Sequence, residues 1–386
     1  MIGLRRVPVV KRVGLLAGLI GVCCASALHA QGGVAAGPAR SLWLLTTTGE
    51  YGYESNIVYA AAPDAVSDFL ARLNTSLRVV RARARTTLEM QASGSALFYQ
   101  RSKPLNALAY DVSGTGTRRI SAATAGSATV YYRNLLTNQG LVTGPGSLLL
   151  RRAIQRSIGG SFTLGRRVSA FTNAGLSGSY TNVTFDTPGL IPGAAFTGLA
   201  AVRHQFRRAG TAGVLLAMEE GSAQGSPLRA QSASGEWGSV VKKVRLQITA
   251  GVTRSATGPV ARYLMTGAAL VGDSIGPGSF SAGYSRSASQ AFGIGQLLVT
   301  DGFTSSYDFQ ARRGNFVTVS GFIGESRLST GVGTALKSSG VSAGFRRVVQ
   351  SGLTVGGGAS YRQRRDIVQA SGYGVSLGAG YTMPSR

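Results

Sequence analysis

Prolines and short basic clusters alternate along this chain. Between residues 60 and 300 the prolines are Pro63, Pro104, Pro145, Pro188, Pro192, Pro227, Pro259 and Pro277. The basic clusters are Arg81-Arg83-Arg85, Arg118-Arg119, Arg166-Arg167, Arg207-Arg208, Lys242-Lys243, Arg312-Arg313 and Arg346-Arg347. Proline cannot donate to a β-ladder, so it marks breaks between strands. The alternation predicts an up-and-down antiparallel meander, with short basic turns at one end and longer Pro/Gly loops at the other.

The first thirty residues are typical of a cleaved secretory signal peptide. A basic start that contains Arg5, Arg6, Lys11 and Arg12 precedes the apolar run 13–22. We therefore divide the chain into a signal peptide (1–30), a short periplasmic N-terminal segment (31–44) and a barrel (45–386).

The composition after the signal limits the class of protein. No apolar run reaches the roughly 18 residues that a membrane helix requires. The formal net charge of the chain is +25. The four basic residues of the signal, which holds no acid, leave +21 for the rest. Such a charge usually suggests a nucleic-acid partner, but export argues against one, and we expect none.

Apolar and polar residues alternate in several segments, as in strands with two unlike faces. The alternation is clear in residues 88–98, 244–253 and 373–383. Alternating segments of about ten residues, repeated along a whole chain, are typical of membrane barrels with an apolar outside and a polar interior. The sequence thus predicts an all-β, closed, up-and-down antiparallel transmembrane β-barrel.

The spacing of the basic clusters predicts the number of strands. Arg118 to Arg166 is 48 residues, and the following intervals to Arg207 and Lys242 are 41 and 35. Each interval holds two strands. The 70 residues from Lys242 to Arg312 imply one more turn, which we expect near Arg286. Eight turns give sixteen strands, and one more at each end gives eighteen. We expect 16–18 strands, an even number that would place both termini on the periplasmic side.

Residues 67–99 contain no Gly, Pro or Asn turn signal in the middle, yet they exceed the roughly 9–11 residues of one spanning strand. A turn within 81–85 resolves this. In the alternative, the segment runs straight and three arginines line one face. We favour the turn.

Catalytic chemistry has few candidates. His204 is the one histidine beyond the signal, and both cysteines, Cys23 and Cys24, lie inside it. Neither a zinc site nor a nucleophile–histidine pair can be assembled from these residues. The adjacent Glu219 and Glu220, which we place in a loop, are a weak acid–base signal. We expect no enzyme, no cofactor and no catalytic, cofactor-binding or metal residues.

The start of the predicted barrel carries a resemblance. Residues 49–57 read Gly-Glu-Tyr-Gly-Tyr-Glu-Ser-Asn-Ile, and 68–73 read Asp-Phe-Leu-Ala-Arg-Leu. This resembles the start of outer-membrane β-barrel porins found with exopolysaccharide gene clusters. The resemblance implies long hairpins joined by basic turns. One departure is the C-terminus, since such barrels usually end on an aromatic residue that the assembly machinery reads. Here Tyr381 is followed by five more residues.

These observations lead to a functional expectation. We expect an outer-membrane conduit in a Gram-negative-type bacterium, passing polysaccharide or small anions. Rings of arginine favour anions. The residues expected to line the lumen are Arg203, Gln205, Arg229, Gln231, Arg245, Gln247, Arg362 and Arg364. Its partners would be outer-membrane lipid, lipopolysaccharide and the barrel assembly machinery. The alternative is a non-transporting structural or adhesive barrel that anchors surface polymer or a periplasmic partner.

Overall fold

The protein is an antiparallel β-barrel in a computed structural model. The structure describes residues 40–57, 64–137, 153–206, 210–223, 226–257, 260–312, 314–329, 335–350, 352–365 and 369–384. The strands are β1 (Arg40–Glu54), β2 (Asp68–Arg83), β3 (Thr86–Tyr99), β4 (Ala107–Arg119), β5 (Thr124–Leu136), β6 (Ile154–Arg167), β7 (Thr172–Phe185), β8 (Gly193–Phe206), β9 (Gly210–Ala223), β10 (Ser226–Val241), β11 (Val244–Thr257), β12 (Val260–Ile275), β13 (Gly278–Ala291), β14 (Gln296–Arg312), β15 (Asn315–Leu328), β16 (Leu336–Gln350), β17 (Leu353–Arg365) and β18 (Gln369–Pro384). A 3-10 turn at Lys103–Leu105 precedes β4.

Each strand pairs with its neighbour in sequence, and β1 pairs with β18 to close the sheet. The closing ladder runs from Leu44 opposite Pro384 to Glu54 opposite Gly374. Closure removes the free edges that β1 and β18 would otherwise offer for pairing with other chains. The predicted fold class and the upper predicted strand count are therefore confirmed.

The two ends of the barrel differ in their connections. We call the end with the β2–β3 turn (84–85) the turn end and the end with the β1–β2 connection (55–67) the loop end. Connections at the turn end have two to four residues. Five connections at the loop end are longer, at 55–67, 100–106, 137–153, 186–192 and 329–335. Since β1 starts and β18 finishes at the turn end, the even strand number places both ends of the barrel sheet there.

Several sequence expectations agree with this arrangement. The hairpin of β2 and β3 turns at 84–85, inside the predicted 81–85. Arg118-Arg119 and Arg166-Arg167 end β4 and β6 at the turn end. Lys242-Lys243 forms the β10–β11 turn, where Lys242 has a φ of 57°. Arg207-Arg208 lies outside the described residues.

Other expectations are corrected. The turn between Lys242 and Arg312 is at 276–277, so Pro277 lies at the turn end, and Arg286 is a strand residue of β13 opposite Gly267. Pro227 is not in a long loop: it lies in β10, opposite Ser222. Arg346-Arg347 lies inside β16, three residues before that strand ends. A Gly-Pro pair makes a tight turn without any basic residue, so basic pairs alone do not mark every turn.

The chain's ends extend the barrel. β1 begins at Arg40, five residues before the expected boundary at 45, and β18 continues past Tyr381 to Pro384. The predicted signal peptide and most of the predicted periplasmic segment lie outside the described residues. Within the described ranges, no helix is long and apolar enough to cross a membrane.

The alternation gives the wall two faces. Exposed apolar side chains such as Tyr51, Leu73, Met90, Ile158 and Leu377 share one face, which we call the outer face. The opposite face, which we call the lumen face, carries mainly hydroxyl, amide, charged and glycine positions. An apolar exterior around a polar interior is the arrangement of transmembrane barrels.

Candidate functional site: the barrel lumen

Hydroxyl and amide groups cover much of the lumen face. Hydroxyl pairs link neighbouring strands at 2.7–3.1 Å, namely Thr115–Thr129, Thr253–Thr266, Ser281–Ser306, Thr300–Ser326 and Ser320–Ser342. A recess of about 270 Å³ opens on the wall of β1 to β4, among Thr48, Asn74, Ser95 and Asp111. Asn74 Nδ2 donates to Thr48 Oγ1 at 3.2 Å. These groups offer both donors and acceptors to a polar solute.

Ion pairs between described residues lie on the lumen face. They join Arg72 to Glu50, Arg78 to Glu89, Arg133 to Asp111 and Arg203 to Glu236. Arg78 meets both carboxylate oxygens of Glu89, at 2.7 and 2.9 Å. Each pair neutralises one lumen arginine, so these four contribute little net charge to the interior.

Three other arginines on the lumen face lack such a carboxylate. Among the described residues, Arg245, Arg262 and Arg346 have no carboxylate oxygen within 4.0 Å. Arg346 instead lies over the ring of Phe316, with its guanidinium carbon 4.8 Å from the centroid. The lumen face therefore keeps positive charge that its own acids do not neutralise.

The strand register shows on which face of the wall each of the eight predicted lumen residues lies. Six of them are on the lumen face: Arg203, Gln205, Arg245, Gln247, Arg362 and Arg364. Arg229 and Gln231 are on the outer face, opposite Glu220 and Met218. Arg229 Nε donates to Glu220 Oε1 at 2.8 Å on that exposed face. The expectation that these two residues line the lumen does not agree with the register. Contact of the other six with a solute stays a prediction.

The tip of the β13–β14 hairpin lies inside the barrel. Ile191 of the β7–β8 connection and Gly293 of the tip exchange backbone hydrogen bonds of 3.1 and 2.9 Å. The Gln290 N–H donates to the Glu219 carboxylate on the lumen face of β9, at 3.0 Å. Three strands separate β13 from β9 around the wall, so the tip reaches these partners only across the lumen side of β10 to β12.

A buried apolar cluster holds the tip in place. Leu297, which is 1% exposed, packs with Ala223, Leu228 and Ala230 on the lumen face of β9 and β10, and Ile191 packs against them. Burying a leucine side chain typically stabilises by about 1.5–3 kcal/mol relative to leaving it exposed. The tip is therefore anchored to the wall and narrows the lumen at the loop end.

A second cluster covers the lumen face on the other side of the loop end. Ile57, just after β1, packs with Leu70, Leu97, Tyr99 and Leu136. The nearby β3–β4 connection is anchored by the buried Asp68 carboxylate, which accepts N–H bonds from residues 101 and 102 at 3.0 and 2.7 Å. The loop end is thus lined by packed side chains on two sides. Nearer the turn end, polar groups dominate the lumen face.

Sequence reasoning missed the tip, although its residues carry a signal. Leu297, Leu298 and Val299 are consecutive and all buried, so the alternation expected of a half-exposed wall fails there. Apolar residues on both faces of one strand indicate that both faces are covered. Glu219 and Glu220 are strand residues on opposite faces of β9, not a loop pair.

The comparisons with known proteins show the fold. No protein-family model matches the chain, and no curated protein matches it. Solved structures do match. OccK2 (OpdF) of Pseudomonas aeruginosa has a TM-score of 0.52 at 12% identity, over 89% of this chain and 98% of that chain. OpdK of the same organism, in a structure that contains vanillate, has a TM-score of 0.50 at 14% identity, over 89% and 99%. OccAB4 of Acinetobacter baumannii has a TM-score of 0.50 at 11% identity, over 90% and 98%. At these identities the similarity is one of fold.

Proposed function

We propose that the protein is an outer-membrane porin-like channel that passes small anions. The observation that carries the proposal is the lumen face: a polar wall with arginines that its acids do not neutralise, enclosed by an apolar outer face. Arg245, Arg262 and Arg346 supply uncompensated positive charge along that wall. Charges inside a pore with low-dielectric walls interact with a permeating ion more strongly than in bulk water.

The packing at the loop end bears on the size of the solute. The β13–β14 tip and the cluster around Ile57 both occupy lumen space. This favours small solutes over a polymer, and we therefore propose small anions rather than polysaccharide. The described residues and the comparisons offer no support for the association with exopolysaccharide clusters that the sequence resemblance suggested.

The structural neighbours support a channel of this kind. OpdK is described with vanillate, an aromatic carboxylate. We propose that organic carboxylates are among the anions that this barrel passes. The hydroxyl-lined recess near Thr48 and Asn74 would offer hydrogen bonds to the polar substituents of such a solute. Outer-membrane lipid and the barrel assembly machinery are the partners that this location implies.

The alternative is a barrel that anchors other molecules without transport. The packed loop end is the observation in its favour, because side chains that fill the lumen would block passage. Purified protein in liposomes separates the two. We expect swelling in isosmotic solutions of small organic anions at rates above those of protein-free liposomes. Rates equal to protein-free liposomes for every solute would support the anchoring barrel.

A further inference from the structure

The outer face at the loop end is divided into two chemically different sides. On β1 to β5 it carries an aromatic group without charge: Tyr51, Tyr53, Phe69, Phe98, Tyr110 and Tyr132. Within this group, Tyr51 stacks on Phe69 and Tyr110 on Tyr132. On β10 to β16 the same level carries a cationic group: Arg229, Arg254, Arg286, Arg327 and Lys337. A uniform lipid environment would not require such a division.

Arg254 differs from the rest of the cationic group. Arg229 pairs with Glu220, both Arg286 and Arg327 meet the Asp301 carboxylate, and Lys337 pairs with Glu325. Arg254 is exposed and has no carboxylate oxygen within 4.0 Å among the described residues. An uncompensated cation on the lipid side of a barrel is unfavourable unless an anion meets it.

The neighbours of Arg254 combine polar and apolar chemistry. Gln231 lies opposite it on β10, and Tyr263 lies opposite it on β12. Tyr263 and Met265 are 74% and 78% exposed, more than any other large apolar side chain in the described part of the chain. A cation and an amide thus stand next to an uncovered apolar strip on one surface.

An interruption of the β12–β13 ladder lies beside this strip. That ladder has nine pairs, from Gly267 opposite Arg286 to Ile275 opposite Gly278. Towards the loop end, β12 and β13 separate because the β13–β14 tip turns into the lumen. The β12 residues 260–266 pair only with β11, and the β13 residues 287–291 pair only with β14. The β12 edge therefore presents backbone donors and acceptors that no strand occupies on that side.

We propose that this surface binds a phosphorylated glycolipid of the lipid A class. A phosphate on Arg254, with Gln231 beside it, forms charge-assisted hydrogen bonds. One acyl chain lies along Met265 and Tyr263, and the sugar hydroxyls reach the open β12 edge. The inference rests on the proposed outer-membrane location, since lipid A belongs to the outer leaflet of that membrane.

Native mass spectrometry of the detergent-solubilised barrel tests the site without any transport readout. The probes are purified lipid A with two phosphates and the same lipid with both phosphates removed. We expect wild type to retain the phosphorylated form more tightly. We expect Arg254→Gln to weaken that binding roughly tenfold, the loss typical of one charge-assisted contact. The double variant Tyr263→Ser/Met265→Ser should weaken binding of both forms.

Arg245→Gln is the matched control, because Arg245 also lacks an ion pair but lies on the lumen face. It should bind lipid A as wild type does. Equal retention by Arg254→Gln and wild type would overturn the proposal, as would equal binding of the dephosphorylated lipid. Equal retention of phosphatidylglycerol would replace the glycolipid by a general anionic-lipid contact. A barrel that binds lipid A but does not conduct would contradict the proposed channel and leave the lipid site standing.

Discussion

Arg203 and Glu236 form an ion pair that spans an intervening strand. Arg203 lies on β8 and Glu236 on β10, and both are in register with Gly213 of β9. Arg203 Nη2 donates to Glu236 Oε2 at 3.1 Å, and Nε donates to Oε1. A Cβ at position 213 would lie 2.8 Å from Glu236 Oε1 and 3.0 Å from Arg203 Cγ. Glycine at 213 thus lets the two side chains meet over the lumen face.

Breaking this pair from the acidic side should make the pore more anion-selective. In Glu236→Gln the Arg203 charge is no longer neutralised, so the lumen gains one effective positive charge. We expect a higher anion-to-cation permeability ratio than in wild type, measured as a reversal potential. Glu220→Gln removes a carboxylate on the outer face and serves as the control, with no change expected. An unchanged ratio in Glu236→Gln would show that Arg203 does not face the permeation path.

Removing lumen arginines should have the opposite effect. Replacing Arg245 and Arg362 by Gln should lower the preference for anions, because both positions lie on the lumen face and neither belongs to the buried apolar clusters. The matched control is Arg229→Gln, since Arg229 lies on the outer face. Reversal potentials across a salt gradient give the readout. If Arg229→Gln changed selectivity as much as the double variant, the assignment of the faces would be refuted.

Alternation identified the strands, but it could not assign every face. Assigning a face depends on which side of the sheet is covered, and a one-residue shift exchanges the two faces. Around Leu228 and Ala230 the lumen face is apolar, because the β13–β14 tip packs on it. The polar residues that alternate with them, Arg229 and Gln231, therefore point outwards, although the general rule for barrels predicts the reverse.

The tip itself depends on contacts between residues far apart in sequence. Ile191 is about 100 residues from Gly293, and Glu219 is 71 residues from Gln290. Local periodicity carries no information about such pairs. The turn at 84–85 was predictable, in contrast, because the length of a spanning strand limits how far 67–99 can run before it folds back.

Loosening the tip should widen the lumen. Leu297→Ala removes the buried side chain that anchors the tip, and such substitutions typically cost about 2–5 kcal/mol at buried sites. We expect single-channel currents that fluctuate towards larger conductance levels. Leu377→Ala is the control, since Leu377 is 72% exposed on the outer face. Indistinguishable currents for Leu297→Ala and wild type would mean that the tip does not restrict the pore.

Close approach of neighbouring strands should make one glycine difficult to replace. A Cβ at Gly251 on β11 would clash with the Ala233 carbonyl oxygen of β10, whereas a Cβ at Gly49 meets nothing within 4 Å. Forcing extra volume into a packed position typically costs about 1–3 kcal/mol. Gly251→Ala should therefore lower the temperature at which the folded barrel is lost on cold-loaded SDS gels, and Gly49→Ala should not. Equal midpoints would indicate that β10 and β11 lie further apart than described.

Reversal potentials in planar lipid bilayers test the central claim most directly. Purified wild-type protein, placed across a salt gradient at low ionic strength, should give discrete current steps and a reversal potential of the sign expected for anions. The preference should weaken as the salt approaches 1 M, where the screening length falls to about 3 Å. Steps that show cation preference, or repeated insertion without any conductance, would contradict the account of an anion-passing lumen.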